Sequence, residues 1–165
     1  MKHDACVARL EKRLSLDKQR VMQFLNAFVA GLVAELIEKG EISVKGLGYF
    51  KVVYIPFRKE QQESVVRALP PRKKIAFLTR PVVDSSTRRI IGARTGLPDA
   101  KAGAFCKVLS GYFRESLEKK RDLALEGLGS FREVEGKYIF VPDQMLQEIV
   151  NNGFENLSAF EVPIQ

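Results

Sequence analysis

The residues best placed to do chemistry in this sequence are its cations. Residues 54–94 carry ten Lys or Arg and three Asp or Glu, a net charge of +7, equal to that of the whole chain. Residues 1–53 carry nine and six, and residues 95–165 eight and eleven, so the flanks are +3 and −3. A basic field confined to one segment attracts a polyanion, and displacing counterions from phosphates supplies the binding energy. Other chemistries lack material. His3 is the only histidine, and Cys6 and Cys106 show no CxxC spacing, so a zinc site or a nucleophile–histidine pair cannot be assembled. Each cysteine sits in an apolar helical stretch and reads as a buried, reduced thiol. Gly46-Leu47-Gly48 is a lone Gly-x-Gly between two strand patterns, which is a hairpin turn and not a phosphate loop. The carboxylates are scattered. The sequence therefore implies no enzyme, no metal and no cofactor.

These cations need a scaffold, and its elements follow from periodicity. The chain has 165 residues, 45% hydrophobic and 28% charged, enough for a core. A first helix covers about Asp4 to Leu14, with Val7, Leu10 and Leu14 on one face. Asp17 is a cap for a second helix, about Lys18 to Lys39, which stops at Gly40. Its apolar pattern from Val21 to Ile37 is interrupted by Gln23, Asn26 and Glu35, which excludes a membrane span. No signal-peptide pattern opens the chain, so a cytoplasmic location is expected. Strands follow at Glu41 to Lys45 and Tyr49 to Ile55, joined by the glycine turn. Helices near 85–94 and 99–120 and strands near 122–126 and 130–135 then repeat the series, with Pro98 suited to a first helical turn.

The second series aligns with the first without a gap at an offset of 81. Arg13 meets Arg94, Leu16 meets Leu97, Phe24 meets Phe105 and Leu36 meets Leu117. Gly46-Leu47-Gly48 meets Gly127-Leu128-Gly129, and Phe50 meets Phe131. Glu38-Lys39 falls on Lys119-Lys120 at the helix end. Internal repetition of this kind marks two copies of one supersecondary unit.

Two helices, a glycine hairpin ending in Phe and a basic ribbon resemble the HU/IHF family of bacterial DNA-binding proteins. The stretch from Lys39 through Gly46-Leu47-Gly48-Tyr49-Phe50 is similar to that family's helix end and hairpin. Lys73-Lys74-Ile75-Ala76-Phe77-Leu78 matches the strand on which its β-arm returns. The resemblance implies an α+β fold of two HU/IHF-like units, each helix-helix-hairpin. Each unit exposes an apolar helix face that needs a partner, so a single-chain pseudo-dimer is expected. The units would be residues 1–81, with a basic β-arm over about 54–75, and residues 82–165. In the second, a tight turn at Glu135-Gly136 replaces the arm, and a short helix, about Asp143 to Asn151, and a tail follow.

The family's Arg-Asn-Pro-x-Thr-Gly arm tip is absent. Pro70 and Pro71 are the only wedge candidates, and they are expected on the returning limb. The resemblance implies a non-enzymatic architectural protein of the nucleoid that contacts double-stranded DNA with little sequence readout. The candidate contacts are Arg58, Lys59, Arg67, Arg72, Lys73, Lys74 and Arg80, with Arg88 and Arg89 on the next helix and Lys45 and Lys51 on the hairpin. A second copy of the chain is a candidate partner, since one arm grips less than two. The Pro-Pro loop and the Gly-Lys-Tyr-x-Phe-x-Pro hairpin also resemble paired HU-like modules of SPOR-domain envelope proteins. That likeness implies the alternative, a protein-interaction module. The alternating tail Leu157 to Ile164 fits it, as a strand able to pair with a sheet edge within the chain or in another molecule.

Overall fold

In a computed structural model of the chain, residues 4–79, 86–152 and 160–163 are described. Helices α1 (Asp4–Leu14) and α2 (Lys18–Lys39) are followed by strands β1 (Glu41–Val44), β2 (Gly48–Ile55), β3 (Arg58–Gln62), β4 (Val65–Leu69) and β5 (Arg72–Leu78). Helices α3 (Ser86–Thr95) and α4 (Asp99–Glu118) then precede β6 (Leu123–Leu125), β7 (Gly129–Val134) and β8 (Lys137–Pro142). Helix α5 (Gln144–Val150) and strand β9 (Phe160–Pro163) come last. The fold is mixed α+β.

Local sequence sets these boundaries. Asp17 takes an extended backbone, and its carboxylate accepts the Arg20 N–H at 2.8 Å, satisfying one open donor of the first turn of α2. Val21, Leu25, Phe28, Leu32 and Leu36 recur at helical spacing and are all buried. Gly40 ends the helix at φ 78, and its N–H still reaches the Leu36 carbonyl at 2.8 Å. Helix α4 stops differently. Lys120 takes φ 53, and the Arg121 N–H returns to the Ser116 carbonyl at 2.9 Å. By length and composition α2 is long and apolar enough to cross a membrane, despite Gln23, Asn26 and Glu35. In this fold its apolar stripe is covered by protein.

Among the described residues three antiparallel sheets form, ordered β1-β2-β5, β3-β4-β9 and β6-β7-β8. The turn between β1 and β2 needs Gly46 at φ 85, and it tucks Leu47 into the core with its N–H on the Val44 carbonyl at 3.0 Å. The turn between β6 and β7 does the same with Gly127 at φ 99 and Leu128. Strands β7 and β8 close through Glu135 and Gly136, at φ 50 and 82. Positive φ at both central residues matches the strand twist of a two-residue hairpin.

Helix α1 packs on α4, and α2 packs on α3. One continuous core results, in which Leu10, Phe28, Leu32 and Phe50 join Ile91, Phe105, Phe113 and Phe131. At its centre four rings meet. Phe50 lies 4.8 Å from Phe77 and 5.9 Å from Phe131, and Phe131 lies 4.8 Å from Phe140. Such pairs add roughly 0.5–1.5 kcal/mol each beyond their burial. Two ion pairs tie the helix pairs. Arg9 on α1 meets Glu115 on α4, and Arg89 on α3 meets Glu35 on α2 at 2.6 Å. Each glutamate also holds the lysine one turn further on, Lys119 at 2.9 Å and Lys39 at 2.6 Å.

Candidate nucleic-acid interface

The arm begins as the far end of the β2–β5 ladder. The register pairs Lys51 with Ala76, Val53 with Lys74 and Ile55 with Arg72, while Val52 faces Ile75 and Tyr54 faces Lys73. Side chains alternate between faces, so the two sets separate. Phe50, Val52, Ile75 and Phe77 line the core side. Lys51, Arg72 and Lys74 project from the opposite side and are exposed. Lys74 is the diagonal cross-strand neighbour of Lys51, at roughly 7–8 Å between Cα atoms, and Arg72 follows two residues along the same strand. Glu41 of β1 stands directly opposite Lys51 in the register, while no ion pair joins a described carboxylate to Arg72 or Lys74.

Lys73 belongs to the other face. The run Arg72-Lys73-Lys74 therefore does not act as one surface. The Lys73 backbone is held by α5: its N–H donates to Asn151 Oδ1 at 2.7 Å, and its carbonyl accepts from Asn151 Nδ2 and Gln147 Nε2, both at 2.8 Å.

The ribbon is not continuous over 54–75. Pro56 and Phe57 on one limb, and Pro70 and Pro71 on the other, belong to no strand. Three prolines at this level remove three ladder donors, so the β2–β5 ladder stops there. Pairing resumes with Arg58 opposite Leu69 and continues to Gln62 opposite Val65, closed by Glu63 and Ser64 with Glu63 at φ 46. Pro70 and Pro71 are half-buried on the returning limb, and the turn at the tip is Glu63-Ser64. Charges in this outer segment are close to balanced. Arg58 pairs with Glu60 at 3.5 Å, and the register sets Arg67 opposite Glu60 on one side and Glu161 on the other. Lys59 lies on the other face, opposite Ala68, and is exposed.

The remaining candidates are dispersed. Arg88 donates to the Asp99 carboxylate at 2.8 Å and to its carbonyl at 3.2 Å, anchoring α3 to the start of α4. Arg89 is held by Glu35. Lys45 is exposed at the end of β2 remote from the arm, and its N–H donates to Thr87 Oγ1 at 2.8 Å. Strand β2 has 8 residues from Gly48 to Ile55, so its ends are roughly 24 Å apart at the usual rise. Arg80 lies outside the described residues.

Three exposed cations thus sit on one face of a β-ribbon that follows two helices and a glycine hairpin. Residues 1–80 match the family described as bacterial DNA-binding protein. This is the HU/IHF family, whose helix end, hairpin and returning strand the first half resembles. No curated protein matches the chain.

Four further residues stand at this ribbon that the sequence did not single out. Tyr54 and Phe57 are exposed aromatics on the basic ribbon, at 55% and 49%. Their interleaving with Arg and Lys was the signal that could have found them. Gln147 on α5 and Asn151, which caps its C-terminus, sit one turn apart, and nothing in that spacing tells which backbone they will bind.

Burial pushes the Cys6 thiol up to about 12, with Arg9 opposing, and burial also raises Cys106. Both remain protonated near neutrality, so neither supplies a nucleophile. Burial pushes Glu35 up, but hydrogen bonds from Lys39 and Arg89 outweigh it and leave the carboxyl below its ordinary value. The hydrogen bonds from Arg9 and Lys119 hold Glu115 at about 2.

Proposed function

We propose that this chain is a non-enzymatic, HU/IHF-like architectural protein that lays the outer face of its arm along the backbone of duplex DNA. One observation carries the reading: Lys51, Arg72 and Lys74 share one exposed face of the β2–β5 ribbon, within the residues that match the bacterial DNA-binding family. Ammonium and guanidinium groups in such an array neutralise phosphates and release counterions. Backbone contact of this kind carries no sequence information, so specificity is low. Arg58 and Lys59 lie further out on opposite faces of β3, and Phe57 offers an apolar surface to a groove at the break in the arm. Arg88 and Arg89 act within the fold and not on DNA.

The scaffold is a single-chain pseudo-dimer of residues 1–81 and 82–165. Its support is the crossed packing, α1 on α4 and α2 on α3, together with the paired glutamate bridges. The first unit keeps the arm, and the second serves as its folding partner. A cytoplasmic, nucleoid location follows from this role, and a second copy of the chain would supply a second arm.

The alternative, a protein-interaction module, has one favourable observation. Ile139, Val141, Met145 and Ile149 are exposed on β8 and α5, with Met145 at 72%. Such a group of apolar side chains suits a protein surface better than a phosphate backbone.

Titration of fluorescent duplexes of unrelated sequence in a salt series tests the DNA reading. It predicts tight binding at low salt that weakens steeply toward physiological salt and differs little between sequences. Absence of binding at low salt, or a strong sequence preference with a shallow salt slope, contradicts it.

A further inference from the structure

The C-terminal segment touches the arm at two separate levels. At the base, α5 is fixed in the core by Leu146 and Val150, which are 1% and 7% exposed. From that anchor the Asn151 amide grips the Lys73 peptide as a second backbone would, donating to its carbonyl and accepting from its N–H. Gln147 adds a second bond to the same carbonyl. The Asn151 amide is itself tied to α5 through the Gln147 carbonyl at 2.9 Å. Beyond the proline break, β9 adds a third strand to the outer segment, with Val65 to Ala68 of β4 opposite Pro163 to Phe160.

A break in a two-stranded ribbon is a natural hinge, because no ladder bonds cross residues 56–57 and 70–71. An isolated two-stranded hairpin is marginally stable in water, and a third strand is what makes a small sheet persist. Strand β4 would also offer an unpaired edge, which invites pairing with other chains. The C-terminal segment answers both problems, holding the ribbon just below the hinge and the hairpin just above it.

We infer that α5 and β9 form a splint that fixes the pose of the arm, with Gln147 and Asn151 as positioning residues for the nucleic-acid contact. The inference rests on the DNA reading for its purpose but not for its geometry. A splinted arm holds the hairpin beyond the break in a fixed pose relative to Lys51, Arg72 and Lys74. An unsplinted arm must be ordered as it binds, and that ordering subtracts from affinity.

The test uses the full chain, and the two substitutions that remove the splint change no charge. Asn151→Ala removes the grip on Lys73, and Val162→Pro removes a strand donor from β9. Spin labels on Ser64→Cys at the arm tip and Arg114→Cys on α4 report the arm, and labels on Lys12→Cys and Arg114→Cys report the helical body. Buried Cys6 and Cys106 stay unlabelled. The parent should give a narrow tip-to-body distance distribution. The combined Asn151→Ala, Val162→Pro variant should broaden it and leave the body distance and the melting cooperativity unchanged. DNA affinity should fall about five- to tenfold with an unaltered salt slope, the mark of a lost pose and not of lost phosphate contacts.

An unchanged tip distribution overturns the inference. So does a rise in affinity, which would make the segment a mask over the arm. If the parent protein binds no DNA, the functional reading fails by itself while the distance distributions still decide the splint.

Discussion

Gly46, in the turn between β1 and β2, lies directly against the backbone carbonyl of Ser110 on α4, so close that any Cβ at Gly46 would collide with it. The matching turn in the second half does likewise. A Cβ on Gly127 would stand 3.2 Å from Val29 on α2. Each hairpin turn rests on the long helix of the other half.

This contact separates two costs of replacing glycine. Gly40 is also left-handed, at φ 78, but a Cβ there meets nothing within 4 Å. Gly40→Ala should cost about 1 kcal/mol, the backbone penalty alone. Gly46→Ala carries the same penalty plus a collision with backbone that cannot rotate away, and should cost at least about 3 kcal/mol in all. Urea unfolding of the two variants gives the comparison, and equal losses would show that the turn does not depend on Ser110.

Acid should weaken the fold through two carboxylates. Glu115 is held at about 2 by Arg9 and Lys119, and Glu35 is also held below its ordinary value. A depressed folded-state value means that the stabilisation is complete above the unfolded-state value, about 4.3 for glutamate, and is lost as pH falls from there toward 2. Stability measured from pH 7 to pH 2.5 should decline below about pH 4.5. Glu35→Gln with Glu115→Gln should be less stable at neutral pH and should flatten that decline. A decline just as steep in the double variant would place the acid sensitivity elsewhere.

The sequence made the helices and hairpins legible because their signals are local. The 3.6-residue pattern from Val21 to Leu36, the Asp17 cap and the Gly40 stop give α2 with the boundaries observed. The left-handed Ser15 and Gly96 that follow α1 and α3 are 81 apart, as are Gly46 and Gly127, whereas the left-handed Gly40 and Lys120 that follow α2 and α4 are 80 apart. The arm was legible as a basic segment but not as a surface. A strand places neighbours on opposite faces, so only the register reveals that Lys73 parts from Arg72 and Lys74. The pairing of Arg88 with Asp99 and of Arg89 with Glu35 has no local signal in the sequence. The pairing of β9 with β4 spans about a hundred residues, and the tail's alternation marked it as a strand without naming its partner.

The salt dependence of affinity decides whether the outer face of the β2–β5 ribbon contacts DNA. Each phosphate contact adds roughly 0.9 to the slope of log affinity against log salt. The variant Lys51→Ala, Arg72→Ala, Lys74→Ala should lower the slope by about 2–3 and keep its melting transition. Arg88→Ala with Arg89→Ala should lose stability and keep the slope. A triple variant that binds with the parent's affinity and slope, or a slope that falls only in the Arg88, Arg89 variant, would contradict the account.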